Sequence, residues 1–98
     1  MTDVLNSTEI SQALDNLSGW AVSEDGKSIE KEFKFKTFSQ SWGFMSRVAL
    51  KAEKMDHHPD WSNSYNTVNV SLSTHDKGGV TENDTKLAEF MNSCAEKF

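Results

Sequence analysis

Two adjacent histidines, His57 and His58, stand directly before the chain's single proline in the stretch EKMDHHPDW, and the third, His75, follows in STHD. Imidazoles titrate near neutral pH, so histidines gathered in one place can deliver one proton and remove another. Glu53 and His57 are four residues apart, a helical spacing at which the carboxylate can orient the ring and fix its tautomer. His58 precedes Pro59, which disfavours helical geometry, so its side chain must leave in a different direction from that of His57. Pro59 fixes its own φ and stiffens the corner. Adjacent histidines on such a corner can address two sides of one ligand.

The residues alone leave other readings open. Histidines at a helix end also occur as plain surface residues, because a cationic ring suits the C-terminal dipole. A purely structural hydrogen-bonded cluster is a third possibility. A metal site, as in a metal-dependent hydrolase, is a fourth, although neither HxxxH nor CxxC spacing is present. The acid/base reading requires the fold to bring His75 to the other two.

The periodicities predict that fold. A first helix is expected over Thr8–Leu17, with Ser7 as N-cap and residues 1–6 as a loose tail. A hairpin follows, Trp20–Val22 and Ile29–Phe35, turning at Asp25-Gly26. Along its return strand Ile29, Lys31, Phe33 and Phe35 share one face. Thr37 and Gln40 have capping-box spacing before a helix whose apolar residues are Phe38, Trp42, Met45, Val48, Ala49, Ala52 and Met55. A second hairpin, Trp61–Ser64 and Thr67–Ser73, turns near Asn66. The last helix is capped by Thr81, with Asp84 three residues on, and carries Leu87, Ala88, Met91, Cys94, Ala95 and Phe98 on one stripe. The order α-β-β-α-β-β-α implies an α+β two-layer sandwich, a four-stranded antiparallel sheet with three helices on one face. The second hairpin returns the end of Thr67–Ser73 to the start of its partner at Pro59–Trp61, which carries His75 towards His57 and His58.

Composition bounds the class. The 98 residues suit one domain, 1–98, and the three tryptophans and six phenylalanines argue against disorder. A net charge of −5 disfavours nucleic acid as a partner. Lys31, Lys34 and Lys36 alternate with Glu30 and Glu32 and read as a solvated strand face. The single cysteine, Cys94, excludes an internal disulfide and is expected to be a buried small residue. No stretch approaches the ~20 apolar residues of a membrane span, and the N-terminus lacks the features of a signal peptide, so a cytoplasmic location is expected.

The histidine region resembles the pterin-4a-carbinolamine dehydratases. That family carries an acidic residue, three residues, His-His-Pro, five residues, an aromatic, nine residues, His, and a later Asp. Here the text reads Glu53, KMD, His57-His58-Pro59, DWSNS, Tyr65, NTVNVSLST, His75 and, further on, Asp84. The flanking WGFMSRVALKAEKMDHHPDW and LSTH are also similar, and the likeness runs from Gly19-Trp20 to the last helix. The resemblance implies dehydration of a 4a-hydroxytetrahydropterin to the quinonoid dihydropterin, which recycles the pterin used by aromatic amino acid hydroxylases. It implies no metal and no organic cofactor, and assembly as a homodimer or homotetramer. It assigns His57 and His75 as acid/base groups and His58 as the residue that positions substrate. Pro59 and Thr74 would line the pterin site, partly through backbone groups. Glu53 would orient a histidine; Asp84 would cap its helix with an orienting role beside. Some family members also serve as dimerisation cofactors of a homeodomain transcription factor, which keeps a protein-binding role as the alternative.

Overall fold

The computed structural model describes residues 3–98. Helix α1 spans Ser7–Leu14 and is capped by Asn6 rather than Ser7. Asn6 has a glutamate three residues on: its Oδ1 accepts the Glu9 N–H at 2.8 Å, and its own N–H donates to Glu9 Oε1 at 2.9 Å. The helix stops before Leu17, giving way to tighter turns in which the Asn16 N–H meets the Ala13 carbonyl at 3.2 Å and the Leu17 N–H the Leu14 carbonyl at 3.1 Å. Leu17 is nevertheless buried. Of the tail expected to be loose, Met1 and Thr2 lie outside the described residues. Leu5 is tied down, its N–H donating to the Val80 carbonyl at 2.8 Å.

Strands β1 (Ala21–Val22) and β2 (Ile29–Lys34) form the first hairpin, β3 (Asp60–Ser64) and β4 (Thr67–Leu72) the second. The sheet order is β1-β2-β4-β3, all antiparallel, so the two hairpins join through β2 and β4 in the middle. The β3–β4 turn puts Tyr65 in left-handed space at φ 50°, uncommon for an aromatic. Its carbonyl is held by the buried Ser41 hydroxyl at 2.6 Å, which pins the turn to α2.

Helix α2 spans Phe38–Met55 and α3 spans Glu82–Ala95. Thr37 caps α2 through the Gln40 N–H. The Gln40 side chain reaches back to the Lys36 N–H, one residue short of the expected reciprocal box. Both helices pack over one sheet face. Phe44, Val48 and Ala52 of α2 and Leu87, Ala88, Met91 and Cys94 of α3 meet Ile29, Phe33, Val68, Val70 and Leu72 in one core. The expected α2 stripe turns out to straddle two faces: Val48 and Ala52 point inward with Phe44, while Phe38, Trp42 and Ala49 are exposed. Phe44 packs against Phe33 and Phe35, with ring centroids 4.8 and 5.1 Å away. Truncating such a residue to Ala costs about 3–5 kcal/mol. Lys31 departs from the expected solvated face. It lies on the inner side, where its Nζ donates to Ser18 O and Asn92 Oδ1, both at 2.9 Å.

Candidate active site

The end of α2 decides where the histidines go. Asp56, the C-cap, adopts left-handed geometry at φ 53° and ψ 43°. The His57 N–H then turns back to the Ala52 carbonyl at 3.0 Å, which seals the last helical turn. His57 is therefore no longer part of the helix, and the expected pairing with Glu53 across one helical face is not made. The reversal carries the His57 ring inward towards α3, while His58 stays outside. Glu53 bonds His58 instead, at 3.0 Å from Oε1 to Nε2.

His57 is only 8% exposed and Asp84 is fully buried. His57 Nε2 lies 2.5 Å from Asp84 Oδ1. The other carboxylate oxygen, Oδ2, accepts the Thr74 hydroxyl and the Thr81 N–H, each at 2.9 Å. The Thr81 contact is the return arm of the α3 capping box, so the same carboxylate caps the helix and holds the ring. The Thr74 and Thr81 hydroxyl oxygens are 2.6 Å apart. Among the described residues no buried side-chain nitrogen or oxygen lacks a partner, and His57 Nδ1 bonds to none of those residues. That nitrogen therefore reaches the surface.

His75 starts a single 3-10 turn, His75–Lys77, between β4 and α3. The Thr74 N–H bonds the Gly79 carbonyl at 2.8 Å and closes this loop. His75 Nε2 lies 3.0 Å from Asp60 Oδ2 at the start of β3. The hairpin register supplies this contact, because Asp60 pairs with Ser71 at the far end of β4. The rings of His58 and His75 are open to solvent, at 59% and 70% side-chain exposure. The segments 57–60 and 74–84 are thus bridged twice, once through His57–Asp84–Thr74 and once through Asp60–His75.

A family model described as Pterin 4 alpha carbinolamine dehydratase matches residues 3–94. The chain belongs to this family. A Mesorhizobium japonicum protein provisionally named a pterin-4-alpha-carbinolamine dehydratase is 56% identical over 88 residues, 90% of each chain. An Afipia carboxidovorans relative with the same provisional name is 49% identical over all of this chain and 98% of its own. The crystal structure of a transcriptional coactivator/pterin dehydratase from Brucella melitensis superposes with a TM-score of 0.93 at 48% identity, covering 95% of this chain and 99% of that one. A pterin dehydratase-like protein described as a RuBisCO assembly factor in the alpha-carboxysome shares the fold, with a TM-score of 0.67 at 22% identity over 79% of this chain and 89% of its own.

Within this dehydratase-family chain, the positions singled out from sequence fall into two groups. His57, Thr74 and Asp84 form the buried network. Glu53, His58 and His75 are exposed, and Pro59 is half-buried between them. Thr74, expected to line a ligand partly through its backbone, has little left to offer. Its hydroxyl and N–H are both engaged, and its carbonyl accepts from Lys77 and Gly78. Two residues escaped the sequence reading. Asp60 follows Pro59 at the strand start where the hairpin argument already placed His75. Thr81 was visible only as a helix cap. Two clefts, of about 490 Å³ beside Lys51, Met55, Lys86 and Phe90 and about 440 Å³ between α1 and the first hairpin, contain no histidine. Neither cleft is lined by a residue of the histidine–carboxylate cluster. Among the described residues no group of three or more His, Cys, Asp or Glu side chains is arranged around a metal position, and no helix is long and apolar enough to cross a membrane.

Proposed function

We propose that this protein dehydrates a 4a-hydroxytetrahydropterin, releasing water and the quinonoid dihydropterin, and so returns the pterin spent by aromatic amino acid hydroxylases. The observation that supports the reading is the double bridge joining residues 57–60 to residues 74–84, the two segments that carry the histidines of the family pattern. Loss of water from a carbinolamine needs a proton delivered to the departing hydroxyl as the carbon–oxygen bond breaks. It also needs a proton taken from the ring nitrogen, whose electron pair forms the new carbon–nitrogen double bond. His57 and His75 take these two roles. His57 acts through Nδ1, its other nitrogen being held by Asp84. His58 seats the pterin near its hydroxyl-bearing carbon, and Pro59 walls the site. Glu53 and Asp60 steady the two exposed rings. One positioned proton donor or acceptor contributes about 10²–10⁴ in rate. The test is the ultraviolet absorbance of a 4a-hydroxypterin generated in situ. Added protein should speed its decay, and an unchanged decay would remove the reading.

Self-association has its own support. Phe38, Trp42 and Leu50 are exposed along α2, and Phe38 stacks on Trp42 with ring centroids 6.4 Å apart. A small domain seldom leaves such an apolar flank bare. A second copy of the chain, as a homodimer or homotetramer, is the occupant proposed here. Sedimentation at micromolar concentration should show an assembly that Trp42→Lys weakens; a monomeric wild type would refute it.

A further inference from the structure

We propose that Thr81 is a positioning residue of this site, acting through the Thr74 hydroxyl and the Asp84 carboxylate to fix which nitrogen of His57 carries the proton. The kinetic part rests on the dehydratase reading; the structural part does not.

The direction of each hydrogen bond can be worked out. A hydroxyl has one proton to give. Thr74 gives its proton to Asp84 Oδ2 at 2.9 Å, so in the 2.6 Å contact with Thr81 it must accept. Thr81 Oγ1 is therefore the donor there, and it accepts in turn the Asn83 N–H at 3.3 Å from the first turn of α3. The donors run one way, from Asn83 to Thr81 to Thr74 to Asp84. Thr81 also sends its own N–H to Oδ2 at 2.9 Å, so that oxygen is filled by two donors from two directions. The carboxylate cannot swing, and Oδ1 is left facing His57 alone. An acceptor held in this way selects the tautomer with hydrogen on Nε2, which leaves the Nδ1 lone pair at the surface for a ligand.

Thr81 and Asp84 are fully buried and Thr74 nearly so, which leaves no room for water to replace a missing hydroxyl. Valine at 81 would keep the shape and the backbone donor while removing the hydroxyl. The Thr74 oxygen would then lack a donor, which weakens its own bond to Asp84 Oδ2 and leaves the carboxylate less firmly held. A helix cap alone predicts none of this, because the Asp84 arm of the cap survives the substitution.

The experiment uses protein labelled with ¹⁵N in histidine, with long-range ¹H–¹⁵N correlations reporting the tautomer of His57. The wild type should show a protonated Nε2 and an unprotonated Nδ1. Thr81→Val should mix the two forms and lower kcat about tenfold, less than the loss of a proton-transfer group itself, with KM within about twofold. Thr81→Ser should restore both readouts. A wild type protonated on Nδ1 would overturn the proposal, as would a folded Thr81→Val with unchanged His57 resonances and kcat. Should Thr81→Val fail to fold, Thr74→Val removes the middle hydroxyl without touching the cap, and the same resonances decide. A wild type that turns over no pterin would sink the dehydratase reading alone, since the ¹⁵N signals still settle the role of Thr81.

Discussion

Three histidines each meet a different carboxylate, yet the pairs fall into two kinds. His57–Asp84 is buried and cross-braced by two threonines and a helix terminus. His58–Glu53 and His75–Asp60 are more than half exposed on both sides and have no further side-chain hydrogen bond among the described residues. The same two functional groups thus do different work. In water such a pair gains little and gives up side-chain freedom, so the exposed pairs can open. In the core the partners cannot be exchanged for water, so the buried pair holds one ring in one orientation. A proton-transfer site can use both, with a fixed group against which substrate is registered and adaptable groups that close on it.

The largest effect expected from this contrast belongs to Asp84→Ala. It strips the buried ring of its partner, takes from the Thr74 hydroxyl the acceptor of its proton and removes one arm of the α3 cap. About 3 kcal/mol of stability should be lost. Urea unfolding would read this as a lower midpoint at unchanged slope. A loss under about 1 kcal/mol would mean that burial confers nothing the exposed pairs lack.

Next come the histidines themselves. His57→Ala and His75→Ala should each lower turnover by about 10² or more, but only His57→Ala should also destabilise, by about 1–3 kcal/mol, because Asp84 stays behind without its ring. His75→Ala should fall within about 0.5 kcal/mol of wild type. Equal stability of the two variants would erase the distinction; unchanged turnover in the double variant would remove the acid/base assignment.

Much of this site was legible in the sequence, for identifiable reasons. The hairpin logic is local, so the approach of His75 to the Pro59 corner followed from strand lengths and a turn. The Thr81–Asp84 box is a four-residue pattern and was readable as a cap. The left-handed Asp56 was not readable, because no local pattern marks it and the contact it leads to, His57 with Asp84 of α3, is tertiary. That one residue decides that His57 leaves the helix and that Glu53 holds His58 instead. The inward turn of Thr74 was hidden for the same reason, since its partners lie on α3. The two apolar faces of α2 also defeated periodicity. A stripe for the core and a bare flank beside it merge into one pattern, and Phe44, at the centre of the core, was passed over.

Among the exposed pairs, Glu53→Gln and Asp60→Asn should each change stability by less than about 1 kcal/mol. The small difference should vanish as salt rises to about 1 M, where the screening length is near 3 Å. A salt-independent loss would show that one of these pairs is shielded and belongs with the buried kind.

The smallest effect tests the contrast from outside the site. Lys31 is a charge drawn onto the inner face, where among the described residues it meets no carboxylate but the Ser18 carbonyl, Asn92 and the face of Phe33. Burial lowers its pKa from the ordinary 10.5, with the more distant Glu96 acting in the opposite direction. The unfolded chain therefore holds this proton to higher pH than the folded one. Where the unfolded state binds more protons, stability rises with pH. The contribution of Lys31 should accordingly improve as pH climbs towards 10.5, and Lys31→Met, which cannot titrate, should remove that slope. A wild-type slope of the opposite sign, absent in Lys31→Met, would mean that the carbonyls and the ring hold the cation as well as Asp84 holds His57. In that case a paired carboxylate would not be what separates the fixed group from the adaptable ones.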